Sequence, residues 1–184
     1  MSSPPSGAEG PAPEGPSQAS LRAAARVVVS DAGPLISLGR LDLIGVLGAL
    51  FTEVLVPEAV VRECLARPGN VDALRIGQAL NQGLLRSCHT PPHDLPGLGP
   101  GESAAILHAL DIDAMVLMDE RAGRARAQEL GLRVTGTLGV LVRARQLQIV
   151  GPLTPIVAAL RASGQRLDDA LVRHALAAVG EPDA

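Results

Sequence analysis

Three acidic residues, far apart in the chain, each stand beside an apolar run. VVVSDAGPLISL puts Asp31 directly after a β-branched stretch, GPGESAAILHAL puts Glu102 at the start of a helical pattern, and VLMDERAGR puts Asp119 after another apolar stretch. Carboxylates gathered by a fold repel one another, and their pKa values rise unless a cation neutralises them. Hard oxygen ligands suit Mg²⁺ or Mn²⁺, ions that keep waters and contact phosphate. A bound ion lowers the pKa of a water for in-line attack, and a second ion about 3.5–4 Å away stabilises the leaving oxygen. The chemistry expected from such a cluster is metal-assisted hydrolysis of a phosphodiester.

The elements that must position these acids alternate between strand and helix. Strands are expected at residues 26–30, 52–56, 84–88, 114–118 and 133–135. Helical patterns fill residues 34–50 with a break near Gly39, then 71–82, 102–110, 120–130 and 137–147, with two more in the C-terminal stretch. Pro57 suits the first position of a further helix, whose apolar stripe is Val60, Val61, Cys64 and Leu65. Thr90 to Gly101 reads as a loop rich in Pro and Gly. This alternation implies βαβ units and an α/β fold with a mostly parallel sheet covered by helices on both faces. Ligands of such sheets bind beyond the carboxyl ends of the strands. Asp31 and Asp119 each follow a strand and belong at that edge. Glu102 reaches it because its helix, about 12 Å long, runs antiparallel to a strand of about 13 Å.

Each acid has a plainer explanation. Asp31 and Asp119 could start loops or cap helices, and Glu102 could stabilise a helix dipole by ~0.3–1 kcal/mol. Three acids at one rim favour a shared site. Glu63 is even between a cleft-facing acid and a solvated partner of Arg62. Arg121 and Arg124 share a face near a helix N-terminus and are candidate phosphate contacts, with a solvated face as the alternative. Thr137 lies just past a short strand, as a substrate contact or as a plain N-cap. Cys88, His89 and His93 lack tetrahedral zinc spacing and a fourth ligand.

Composition narrows the partners. The 184 residues suffice for one domain with a sizeable core, preceded by a Pro/Gly/Ser-rich tail over residues 1–24 that is expected to be disordered. No apolar run approaches the ~20 residues of a membrane span, and the first residues lack a secretory pattern, so a cytoplasmic protein with reduced cysteines is expected. A net charge of −3 provides no global basic field, and all the basic residues except histidine are arginine. With no Trp or Tyr and a single Phe, base stacking on aromatic side chains is nearly excluded. No GxGxxG or GxxxxGK(S/T) run is present, which argues against a Rossmann or P-loop site.

The acidic stretches, together with VPEAVVREC, LMDERAGRARAQELGLRVTGTLGVL and LRASGQRLDDALVRHAL, resemble a PIN-domain protein of the PIN-like branch close to VapC-type toxins. The resemblance spans a single expected domain, residues 25–180. It implies a three-layer α/β/α PIN-like fold, a Mg²⁺ or Mn²⁺ cofactor, and endoribonuclease activity on single-stranded or structured RNA. Its four acids match Asp31, Glu63, Glu102 and Asp119, expected as both metal ligands and catalytic residues, with Arg121, Arg124 and Thr137 as substrate contacts. It further implies the toxin half of a toxin–antitoxin pair, with an antitoxin partner and a homodimer. The alternative is a PIN-like interaction protein with weak or no catalysis, which the low positive charge and absent stacking residues favour.

Overall fold

The computed structural model describes residues 27–91 and 93–182, so the tail expected over residues 1–24 lies outside the described residues. In chain order the elements are β1 (Val27–Ser30), α1 (Ala32–Arg40), α2 (Gly45–Leu50), β2 (Glu53–Pro57), α3 (Glu58–Cys64), α4 (Val71–Asn81) and β3 (Arg86–Cys88). There follow α5 (Pro100–Asp111), β4 (Met115–Leu117), α6 (Arg121–Glu129), β5 (Val134–Thr135), α7 (Thr137–Gln146), α8 (Leu153–Ala162) and α9 (Asp169–Ala177). The strands form one parallel five-stranded sheet in the order β3-β2-β1-β4-β5.

Strand alternation divides the interior into two apolar layers. Val28 of β1 and Leu117 of β4 face a core filled by Leu35, Leu38, Leu141 and Leu160. Their neighbours Val29 and Val116 face the opposite way, onto Ala105, Ile106 and Ala127. Successive strand side chains point to opposite faces, so each buried β-branched strand serves both layers. The result is a three-layer α/β/α arrangement. No helix among the described residues is long and apolar enough to cross a membrane.

Three boundaries differ from the sequence reading for physical reasons. The break expected near Gly39 in the helical stretch over residues 34–50 falls slightly later, between α1, which ends at Arg40, and α2, which starts at Gly45. Asp42 takes a φ of 61° in the turn between them. Arg75 ties off the end of α1 by donating to the carbonyls of Gly39 and Arg40 at 2.8 and 3.0 Å. Pro57 closes β2 and caps α3 instead of opening it. The third difference bears on the site: α5 starts at Pro100, not Glu102, with Gly99 as its cap. Proline is favoured in the first turn because its missing N–H is not needed there. Glu102 therefore lies at the third helical position, where its Oε2 accepts a bond from the Gly99 N–H at 2.8 Å.

Candidate metal centre

The parallel pairing of β1 and β4 levels Ser30 with Leu117. The ladder continues past the strand ends, with the Asp31 N–H donating to the Leu117 carbonyl at 2.9 Å and the Met118 N–H donating to Thr135 at 2.9 Å. Asp31 and Asp119 thus leave the sheet at one edge, one residue out of level. After β1 the chain builds β2 and β3 on one side, then returns to place β4 on the other. That reversal makes the β1/β4 boundary the topological switch point, where open α/β sheets hold ligands.

Asp31 is only 7% exposed. Burial pushes its carboxyl up from 3.8 to about 6, and the charges of Glu63 and Glu102 push the same way. The N–H groups of Ala32 and Gly33, at the start of α1, pull it partly back. Glu63 arrives from α3, exposed to solvent. A Cβ built on Gly101 would lie 3.0 Å from Glu63 Oε2, 3.4 Å from Val60 Cγ2 and 3.6 Å from Asp31 Oδ1. The missing side chain at Gly101 thus leaves a cradle between two carboxylates. Gly33 does the same on the other side, its Cβ position being 3.9 Å from Asp31 Oδ2 and 4.0 Å from the Asp119 Cβ. Glu102 Oε1 is buried and has no hydrogen-bond partner among the described residues.

Asp119 stands at the same rim, its carboxylate held by Thr137 and Gln165. Its Oδ1 accepts from the Thr137 N–H at 2.8 Å, and its Oδ2 from the Thr137 hydroxyl at 2.6 Å and from Gln165 Nε2 at 3.3 Å. Thr137, expected as a substrate contact, is 1% exposed and commits its hydroxyl to Asp119. Its N–H and its hydroxyl both donate to Asp119. Arg124 donates to the Met118 carbonyl at 2.9 Å, and Arg121 is exposed at the first residue of α6. Gln165 was not visible as a site residue in the sequence. It follows α8 and meets Asp119 across 46 positions of chain, with only the GQR turn in the tail motif as a local sign.

The structure therefore puts Asp31 within reach of the charges of Glu63 and Glu102, with the Asp119 Cβ on the other side of Gly33. As the side chains stand, no group of three or more His, Cys, Asp or Glu among the described residues is close enough to hold an ion. Glu102 and Asp119 instead each accept local N–H groups. The residues still fit a divalent ion on three counts. The donors are all carboxylate oxygens, the choice of Mg²⁺ and Mn²⁺. One of those oxygens is buried without a partner, and two glycines leave the space between the acids open.

The family model DUF3368, described as a PIN domain, matches residues 27–181. Among solved structures, a PilT N-terminus domain protein from the hyperthermophilic archaeon Sulfolobus solfataricus P2 is similar at 20% identity and a TM-score of 0.49. The similarity covers 64% of this chain and 92% of that one. No curated protein matches.

Proposed function

The chain belongs to the PIN-domain family, whose members are generally nucleases that use divalent metal ions, and on that premise we propose that it is a Mg²⁺- or Mn²⁺-dependent endoribonuclease. One observation supports this above the others: Asp31 is buried beside Glu63 and Glu102 at the switch point, its carboxyl held up at about 6 by burial and by their charges. A cation relieves that repulsion and would favour the ionised form of Asp31. Asp31 and Asp119 are the principal ligands in this reading, with Glu63 and Glu102 completing the set or orienting a water. When bound, the ion supplies an acidified water and neutralises charge on the phosphate.

The chain's own groups do the rest. Thr137 and Gln165 fix the Asp119 carboxylate, so its orientation does not depend on the substrate. Arg121, at the N-terminus of α6, meets a phosphate oxygen with a planar fork and is helped by the helix dipole. Arg124 is anchored at Met118 and offers its remaining N–H groups to the same strand of RNA.

We also read the protein as a cytoplasmic toxin with an antitoxin partner and a homodimeric form, supported by the sequence resemblance. Expression should arrest growth, and Asp119→Asn should relieve the arrest. For the activity, purified protein should cleave single-stranded RNA with Mn²⁺ and lose cleavage with EDTA. Tight Mn²⁺ binding without cleavage of any RNA would favour a PIN-like interaction protein instead.

A further inference from the structure

Along the same edge of the sheet, on the β3 side of the acids, a cavity of about 260 Å³ opens between α3, the start of α5 and the segment after β3. It shares both helices with the carboxylates. Glu58 and Arg62 line it from the helix that carries Glu63, and Pro100 lines it next to Gly101, the residue that cradles Glu63 and Asp31. The opposite wall holds His89, Thr90, His93 and Asp94.

The lining selects by chemistry. Two carboxylates, Glu58 and Asp94, make it a poor receptor for a phosphate but a good one for N–H donors. Glu58 Oε2 lies 3.3 Å from His89 Nδ1, which leaves Oε1 to accept from a ligand. Thr90 lines the same wall, its hydroxyl oxygen buried away from the opening. Flat surfaces come from imidazoles and from Pro91 and Pro100, in a chain that has no Trp or Tyr to stack a base. The volume is below the roughly 300–1,000 Å³ of clefts for drug-sized ligands, and suits one planar heterocycle. Arg62 is the lining's only guanidinium and is adjacent in sequence to Glu63, where the phosphate leading from a bound nucleoside to the acids would pass.

We propose that this cavity receives the base of a nucleotide next to the scissile phosphate and prefers guanine to uracil. Guanine presents a ring N–H beside an exocyclic amino group, two parallel donors that match a carboxylate. Uracil sets a carbonyl oxygen on each side of its ring N–H and meets the same carboxylate with repulsion. The assignment deepens the nuclease reading and rests on it for the role of the base, while the binding itself is measurable without catalysis.

The test titrates isotope-labelled full-length protein in EDTA with guanosine 5′-monophosphate, uridine 5′-monophosphate and inorganic phosphate, following amide resonances. Guanosine monophosphate should shift Glu58, Arg62, Thr90 and His93 at a concentration at least about fivefold lower than uridine monophosphate does, the least that one bidentate base contact provides. Phosphate alone should leave them in place. Asp94→Asn and Glu58→Gln, both at exposed positions, should erase the preference. Equal responses to both nucleotides, a preference that survives both substitutions, or shifts confined to other regions would overturn the base site. Cleavage of RNA alongside any of these results leaves the nuclease reading intact. Guanosine monophosphate binding at the cavity with no cleavage of any RNA sinks the nuclease reading and upholds the cavity.

Discussion

Replacing Asp31 with Asn should make the metal-free protein more stable at pH 8 while abolishing its activity. Asp31 titrates near 3.8 when exposed and at about 6 in the fold. A carboxyl raised in this way supports the fold fully below the lower value, and that support is lost as pH rises through the upper one. The difference of about two pKa units corresponds to about 3 kcal/mol, carried as a cost once Asp31 is ionised. Asn cannot ionise, but its neutral carbonyl meets the Ala32 and Gly33 N–H groups less strongly. The expected gain is therefore about 1–3 kcal/mol, or roughly 2–12 °C in Tm for a domain of this size. Thermal unfolding in EDTA by circular dichroism at pH 4, 6 and 8 measures it. The gain should be near zero at pH 4 and largest at pH 8. Mn²⁺ should raise the Tm of the wild type and leave Asp31→Asn nearly unmoved. A variant less stable than wild type at pH 8, or a difference that does not change with pH, would refute the electrostatic argument for the site.

Other consequences can be checked by single substitutions. Thr137→Val keeps the shape and removes the hydroxyl donor to Asp119. Cleavage should fall about 10–100-fold and recover in Thr137→Ser, as expected for a group that orients a metal ligand; a Val variant with wild-type rate would contradict the positioning role. Gly101→Val fills the space between Glu63 and Asp31. Mn²⁺ affinity by calorimetry should drop sharply with the far-ultraviolet spectrum unchanged, and unaltered affinity would show that the cradle is not used. Glu181 should be structural. Burial opposes its ionisation, but the N–H groups of Leu153 and Thr154, the Thr154 hydroxyl and Arg145 outweigh it and hold the carboxyl at about 2. Glu181→Ala should cost about 1–2 kcal/mol at pH 7 by uncapping α8. That deficit should shrink as pH falls below 4.5 towards 2, where the wild-type carboxylate is itself lost. A deficit that persists unchanged into acid would point to packing instead.

Much of the rim was legible because it follows from element ends. Asp31 and Asp119 directly follow β-branched or apolar runs, and parallel strands send such residues to one edge whatever the sheet order. Matching helix and strand lengths put Glu102 at that edge, although α5 is longer than its apolar pattern and begins two residues before Glu102. The Pro and Gly in GPGES read as loop but serve as cap and first turn, since those positions need neither an N–H nor a side chain. Glu63 was undecided from helical phase alone, because α3 presents it beside an exposed Arg62. What puts it near Asp31 is the close approach of α3 and α5 at Gly101, a tertiary event. The meeting of Thr137 and Gln165 with Asp119 is hidden from the sequence for the same reason. Their partner Asp119 lies 18 and 46 positions away, and no local periodicity encodes such a meeting.

The proposed nuclease activity requires Asp31, Glu63, Glu102 and Asp119 to share one cation at the β1/β4 switch point. Anomalous scattering from a crystal of the full chain grown with Mn²⁺ tests it most directly. A peak is expected among these acids, with oxygens of Asp31 and of at least one of the other three within about 2.1 Å, the distance typical of a small hard ion. A peak elsewhere, such as beside Glu58 and His89, or no ordered ion despite saturating Mn²⁺, would contradict it.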